Sequence, residues 1–227
     1  MVNVFDTDAL DKRRQSVVRI ATGPHGDAKP YLRVYRRFIT DDPDPTVRAA
    51  AARALSLHGK VSDAPAIATL LEDNNAFVRW EAAKALQRIH NPEVIDELSA
   101  ALRDDTDADV RMAAADALGQ YAQRAVFDTL VGALRDPNHG VVQEARDALR
   151  TLTGHAGNTD PGAWMQWAEG QSDSLFAEQQ TYTYRPYAAP PGWLEFWRHE
   201  SHAEPRRPVG LEVAQDEADD AAGAERG

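Results

Sequence analysis

The 227-residue chain contains no cysteine, which excludes disulfide bonds, zinc–thiolate sites and thiol nucleophiles. It also lacks any run approaching the ~20 apolar residues that a transmembrane helix needs. Its N-terminal stretch, MVNVFDTDALDKRRQ, has no apolar core of the kind found in a secretory signal. We therefore expect no membrane span and a cytoplasmic location.

Positive charge is also scarce, since 25 Lys and Arg face 36 Asp and Glu for a net charge of -11. Such an acidic surface repels nucleic acid. Residues 1–40 are the exception, with eight basic against four acidic side chains. Nucleic-acid binding is thus a disfavoured alternative, supported by a single basic cluster: Lys12, Arg13, Arg14, Arg19, Arg33, Arg36 and Arg37.

The sequence does contain an internal repeat. The segments DPTVRAAAARAL, NAFVRWEAAKAL, DADVRMAAADAL and NHGVVQEARDAL align on Val47, Val78, Val110 and Val141, in steps of 31, 32 and 31 residues. In each segment Ala follows the valine by four residues and Leu by eight. Three residues before it stands Asp or Asn, a good helix N-cap: Asp44, Asn75, Asp107 and Asn138.

Each repeat predicts a helical hairpin, because another apolar segment precedes each of these helices across a short polar turn. One hairpin cannot bury its apolar face alone, whereas stacked hairpins share a continuous core. The predicted fold is an all-α solenoid of about four hairpins. Their expected bounds are 31–59, 62–90, 92–121 and 123–152, after a capping helix and loop in residues 1–30.

The pattern D-x-x-V-R-x-x-A-A-x-A-L resembles HEAT repeats, in particular the short type named after phycobilin lyases. The resemblance covers residues 31–150 and implies a solenoid whose second helices line its concave side. The fourth repeat departs from the pattern, with Val142 in place of the arginine and Arg146 in place of an alanine.

A helical wheel predicts which positions face that concave side. Counting from the valine, positions 0, +4, +7 and +8 point inward, into the core between the helices. Positions +2, +5, +6 and +9 point outward, to the concave side. The outward set is Ala49, Ala52, Arg53, Trp80, Ala83, Lys84, Gln87, Met112, Ala115, Asp116, Gln143, Arg146, Asp147 and Arg150. From it we select as candidate partner-binding residues Trp80, Lys84, Met112, Asp116, Gln143, Arg146 and Arg150.

The arginines at +1, Arg48, Arg79 and Arg111, form a regular ladder. The favoured interpretation is pairing with acidic turn residues such as Asp73 or Asp104, since the planar guanidinium suits such bridges. The alternative is an anion-binding strip.

Two enzyme families share this type of repeat and supply the main alternative function. In deoxyhypusine hydroxylases, positions +2 and +3 carry His-Glu pairs that hold two iron ions. Here the same positions read Ala49-Ala50, Trp80-Glu81, Met112-Ala113 and Gln143-Glu144.

Two glutamates are present at these positions but no histidine, so we expect no metal and no cofactor. Bilin lyases use a tetrapyrrole pocket, for which Trp80, Glu81 and Met112 would be the candidates. The favoured prediction is a non-catalytic scaffold that binds another protein or peptide through its concave face.

Residues 153–202 are predicted to hold a cap helix and an aromatic arm. The helix starts at Pro161, is capped by Thr159 or Asp160, and places Trp164 and Trp167 on one face. This ending is similar to that of a group of bacterial HEAT proteins with LTG followed by D-P-x-x-W-x-x-W. The matching residues are Leu152, Thr153, Gly154, Asp160, Pro161, Trp164 and Trp167.

The arm YTYRPYAAPPGWLEFW carries Tyr182, Tyr184, Tyr187, Trp193 and Trp197. We expect it to fold back over the repeats near Trp80 and Met112. The alternative is a short helix, WLEFWRHE, that contacts another protein or a membrane surface. Residues 203–227 have almost no bulky apolar groups and are predicted to be a disordered acidic tail.

Overall fold

The structure is a computed structural model that describes residues 7–171, 174–184 and 204–211. Within these ranges the chain forms ten α-helices and no strand longer than an isolated bridge. The helices are α1 (Thr7–Ala21), α2 (Lys29–Asp41), α3 (Pro45–His58), α4 (Ala64–Ala68), α5 (Ala76–Leu86), α6 (Ile95–Asp104), α7 (Ala108–Leu118), α8 (Arg124–Ala133), α9 (His139–Thr153) and α10 (Pro161–Glu169). Short 3-10 turns flank α4 and precede α6.

The helices form two rows. The first row is α2, α4, α6, α8 and α10, and the second row is α1, α3, α5, α7 and α9. Successive helices of a row pack on one another, and α4 and α6 meet through the 3-10 turns beside them. Each second-row helix from α3 to α9 also packs on the first-row helix before it. This is the predicted all-α solenoid, with α1 in the capping position at its N-terminal end.

The N-caps that the spacing predicts are present at the start of α3, α5, α7 and α9. Each capping oxygen accepts a hydrogen bond from the backbone N–H two residues later, over 2.8–2.9 Å. These bonds satisfy donors that a helix start otherwise leaves unpaired. The caps are Asp44, Asn75, Asp107 and Asn138.

The predicted inward face forms the core. The four valines are fully buried, and all twelve alanines and leucines at +4, +7 and +8 are also buried. Alanine at two of these positions lets neighbouring backbones approach closely, while valine and leucine fill the space between the rows.

The predicted outward face is wrong for the three alanines at +5 and for one residue each at +2 and +9. Ala52, Ala83 and Ala115 at +5 are completely buried, Ala49 at +2 is 1% exposed and Gln87 at +9 is 2% exposed. The inner second-row helices α3, α5 and α7 each pack against two neighbours of their own row as well as the first row. The buried arc is therefore wider than a wheel drawn for one helix pair predicts.

The arginine ladder consists of structural ion pairs between consecutive turns. Each guanidinium binds both oxygens of one aspartate at 2.7–3.0 Å and donates to a backbone carbonyl at 2.8–2.9 Å. The pairs are Arg48–Asp73, Arg79–Asp105 and Arg111–Asp136. The predicted pairing with Asp73 is confirmed. The predicted pairing with Asp104 is wrong by one residue, since Arg79 binds Asp105. The Asp105 carboxylate also accepts the backbone N–H of Asp107, the next N-cap residue.

The solenoid continues past the fourth hairpin. Asp160 caps α10 by accepting the N–H of Gly162, and α10 extends the first row by packing on α8. Trp164 is 1% exposed and its indole N–H donates to the Asn158 carbonyl at 2.7 Å. In the ranges described above, no helix is both long enough and apolar enough to cross a bilayer.

Candidate functional site

Several side chains of the second row remain partly exposed on the side away from the first row. We call the part centred on α5 and α7 the second-row face and define it by Phe77, Trp80, Lys84, Met112 and Asp116. Four of these five residues come from the predicted set, and Phe77 was missed. The second-row face combines an apolar strip with a chain of ionised groups.

The apolar strip begins with an aromatic pair at the start of α5. The Phe77 and Trp80 rings stack with their centroids 6.0 Å apart, and Phe77 is 51% exposed. Trp80 is half-buried and packs against the core. The two residues are three apart on a helix, so they share a face. That spacing was the sequence signal for Phe77.

Met112 continues the strip on α7, where it is half-buried and packs on the core. Its sulfur lies against Gly140 of α9, so closely that a Cβ added to Gly140 would collide with it. The small residue at 140 thus makes room for a thioether that adapts easily to apolar contacts.

The ionised groups form a line along the second row. Arg53 of α3 lies 2.7 Å from Glu81 of α5. Lys84 lies 4.0 Å from Asp116 of α7, and the Tyr182 hydroxyl donates to Asp116 at 2.8 Å. Burial raises the pKa of Asp116, an effect that the Tyr182 hydrogen bond and Lys84 oppose.

Glu144 of α9 is the last carboxylate of this line, and its pKa is strongly raised. Burial, and then the charges of Asp116 and Asp147, raise its pKa to about 7. A glutamate whose pKa is higher in the folded than in the unfolded chain stabilises the fold while protonated, and that contribution is lost as the pH rises through 7.

We therefore expect Glu144→Gln to raise the free energy of unfolding at pH 8 by about 1 kcal/mol, after allowance for solvent screening. At pH 5, where Glu144 is already protonated in the fold, the gain should be small. Urea unfolding at both pH values measures it, with the exposed Glu97→Gln on α6 as the matched control. An equal gain at both pH values would contradict the assignment.

The three remaining predicted residues, Gln143, Arg146 and Arg150, lie on α9 at the end of the row. Arg146 pairs with Asp147 at 2.8 Å, and Arg150 donates to the Gly157 carbonyl at 3.2 Å. Arg146 occupies the +5 position, which is buried alanine in the other repeats. It stays half-exposed here because no further second-row helix follows α9 in the described part of the chain.

The described part of the aromatic arm does fold back onto the repeats. Gln180 donates its N–H to the Thr151 carbonyl at 2.8 Å, and Tyr182 is 5% exposed at its bond to Asp116. The Arg88 guanidinium lies 5.4 Å from the centre of the Tyr184 ring. These contacts are with Asp116 and Arg88, whereas Trp80 and Met112 were predicted. Tyr187, Trp193 and Trp197 lie outside the described residues.

Residues 204–211, which the composition assigned to a disordered tail, are held by main-chain hydrogen bonds instead. The Val209 N–H donates to the Arg88 carbonyl at 2.9 Å, and the His90 N–H donates to the Val209 carbonyl at 2.8 Å. Main-chain pairing needs no apolar pattern, so composition could not reveal it. Residues 212–227 of the predicted tail lie outside the described residues.

Three of the residues at the positions that would carry metal ligands have other roles. Glu81 is 4% exposed and pairs with Arg53, while Trp80 and Met112 occupy the places where histidines would stand. Across residues 7–171, 174–184 and 204–211, no three His, Cys, Asp or Glu side chains converge in a way that could hold a metal ion.

The two rows of helical hairpins, the capped second helices and the arginine ladder define an α-solenoid repeat protein. The family model for HEAT repeats matches residues 36–119 and 64–150, which together cover about half of the chain. The chain belongs to the HEAT-repeat family. No curated protein matches its sequence significantly.

Among solved structures, the chain is similar to two engineered proteins. One is 24% identical with a TM-score of 0.52, over 73% of this chain and 85% of that one. The other is 21% identical with a TM-score of 0.50, over 78% and 94%. Human deoxyhypusine hydroxylase in complex with glycerol is 29% identical with a TM-score of 0.47, over 52% of this chain. The match spans 42% of that enzyme.

Proposed function

We propose that the protein is a non-catalytic HEAT-repeat scaffold that binds another protein or peptide through the second-row face. The observation that carries this proposal is the Phe77–Trp80 pair. A ring that is 51% exposed and stacked on a half-buried tryptophan is costly to leave in water. Aromatic side chains anchored in this way are typical of binding hot spots.

The charges around the pair support a protein partner. Lys84 and Asp116 flank the apolar strip, so the second-row face has the apolar centre and polar rim typical of protein interfaces. At the positions where hydroxylase repeats carry metal ligands, Trp80 and Met112 are engaged in packing and Glu81 in an ion pair. These contacts favour binding over the enzymatic alternative.

Nucleic acid is a poorer candidate than protein. Four of the seven basic residues near the N-terminus, Arg13, Arg14, Arg36 and Arg37, already pair with carboxylates of the chain. Such pairing lowers the positive potential that phosphate binding requires. The cytoplasmic location stays a prediction from the sequence.

Site-specific photo-crosslinking tests the proposal in cells that make the full chain. A photoreactive phenylalanine analogue at position 77 should give a discrete cross-linked product. The same analogue at Tyr31, an exposed aromatic residue on first-row helix α2, is the matched control and should not give it.

Trp80→Ala should then weaken binding of the identified partner at least tenfold, because loss of a hot-spot aromatic residue costs about 2 kcal/mol or more. Tyr31→Ala should leave the affinity unchanged. The proposal would be falsified if positions 77 and 31 gave the same cross-linked product in equal yield. Wild-type affinity in Trp80→Ala would also contradict it.

A further inference from the structure

A second site lies where the end of α3 and the loops that follow α3 and α5 meet. We call it the loop site and define it by Ser56, Val61 and residues 88–90. Its occupant is the chain's own segment 204–211, of sequence EPRRPVGL. Residue 209 forms a parallel bridge with Ile89, and Arg206 forms an antiparallel bridge with Tyr184. The segment is thus bound between two stretches of backbone, as a peptide ligand is in β-strand addition.

The loop site is selective for the residue type at three positions of the bound segment, Pro208, Gly210 and Leu211. Pro208 is buried and Leu211 is 4% exposed, while Val209 between them is 51% exposed and contributes its backbone. Gly210 has φ 94°, and a Cβ there would lie 2.7 Å from the Val61 side chain and 2.9 Å from the His90 carbonyl oxygen. Only glycine fits that backbone conformation and that space. The requirement is therefore Pro-x-Gly-Leu in a turn that the Leu211 N–H closes onto the Pro208 carbonyl.

Contacts within the repeats hold the loop site in shape. The His90 ring stacks on Tyr121 of the next repeat with centroids 4.8 Å apart, and the Tyr121 hydroxyl donates to the Asn91 carbonyl at 3.1 Å. The Asn91 amide donates to the Val61 carbonyl at 3.3 Å, which joins the two loops. Arg88, 9% exposed, donates to the Ser56 hydroxyl at 3.2 Å. None of these bonds involves residues 204–211, so the repeats themselves fix the loop site.

We propose that the loop site is a peptide-binding site, and that residues 204–211 are its built-in competitor. The partner it fits is an extended segment of another protein that presents Pro-x-Gly-Leu. A tethered ligand acts at an effective concentration of about 1 mM, so the chain's own segment keeps the site closed to weakly binding peptides. This site is separate from the second-row face, and the proposal does not depend on the function proposed above.

The probe is a fluorescent peptide EPRRPVGL, titrated against full-length protein and followed by anisotropy. Leu211→Arg should expel the chain's own segment, because a charged side chain cannot take the buried place of Leu211. That variant should bind the peptide at least about tenfold more tightly than wild type. In wild type the tethered segment, at an effective concentration of about 1 mM, competes for a site that binds this sequence with a dissociation constant of about 0.1 mM. Gly210→Ala, which releases the segment for a different reason, should give the same gain.

Three controls locate the binding. Val209→Lys changes a half-exposed side chain of the segment and should behave like wild type. Adding Val61→Glu to Leu211→Arg should abolish binding, since Val61 lines the place of Gly210. Trp80→Ala should leave peptide binding unchanged, which separates this site from the second-row face.

The outcomes divide clearly. Tighter binding by both releasing variants, lost with Val61→Glu, supports the proposal. Equal binding by wild type and Leu211→Arg overturns it, and so does the absence of binding to either. A wild-type dimer that Leu211→Arg dissociates also overturns it, because the segment would then occupy a second copy of the chain.

Discussion

Replacing Arg79 with alanine should lower the free energy of unfolding by about 3 kcal/mol. Arg79 binds both oxygens of Asp105 at 2.7 and 2.9 Å, and the two side chains are 14% and 5% exposed. Its third bond is to the Asp73 carbonyl at 2.9 Å. Without the guanidinium, Asp105 is left as a nearly buried charge lacking its counter-ion, and that is the main source of the cost.

The double variant Arg79→Ala/Asp105→Ala separates the pair from general packing effects. We expect a coupling energy of about 2 kcal/mol from the double-mutant cycle, measured by urea unfolding at pH 7. The matched control is Arg124–Asp128, an exposed pair on α8 at 3.0 Å with side chains 53% and 48% exposed. Its coupling should not exceed about 0.5 kcal/mol. Similar coupling in the two cycles would show that burial of the ladder does not matter.

The ladder also predicts acid sensitivity. Burial alone would raise the pKa of Asp105, but the hydrogen bonds from Arg79 and from the backbone of Asp107 outweigh it and hold the pKa below its ordinary value. A lowered pKa contributes stability that is present above the ordinary value and is lost as the pH falls through the folded-state pKa. The difference between wild type and Arg79→Ala should therefore shrink in strong acid.

The repeat period predicted most of the fold, because it repeats one physical unit. Asp or Asn before the valine predicted the caps, and the 0, +4, +7 and +8 spacing predicted the face that is buried. The outward face was less predictable, since burial there depends on neighbours that a single helix does not reveal. The sequence signal for this burial was alanine at +5 in three successive repeats, because small residues at equivalent positions indicate that neighbouring helices pack closely there.

The candidate site was predicted only in part. Trp80 and Met112 were found because large apolar residues at +2 interrupt a series of small or polar ones, whereas Phe77 needed the additional step of comparing i and i+3. The place of residues 204–211 depends on main-chain bonds to residues 88–90, more than a hundred positions away in the chain. Its only sequence signal is Pro-x-Gly-Leu in an otherwise polar tail.

Trp164→Ala should cause the largest loss at the C-terminal end of the solenoid, about 3–5 kcal/mol. The indole is 1% exposed, meets the Phe127 ring edge-on at 6.3 Å and the His155 ring at 5.2 Å, and makes the hydrogen bond to Asn158. Gly157 lies so close to the ring that any side chain there would collide with it. Alanine would leave a cavity between α8 and α10 that this tight surrounding cannot easily close.

Trp167 supplies a control of the same residue type in the same helix. It is half-buried and stacks on His155 with centroids 4.3 Å apart, so Trp167→Ala should cost only about 1 kcal/mol. Because repeat proteins transmit stability mainly between neighbours, hydrogen exchange in Trp164→Ala should accelerate first in α8, α9 and α10, while α3 stays protected. Equal losses in the two variants, or faster exchange spread evenly over all repeats, would show that α10 does not act as a local cap.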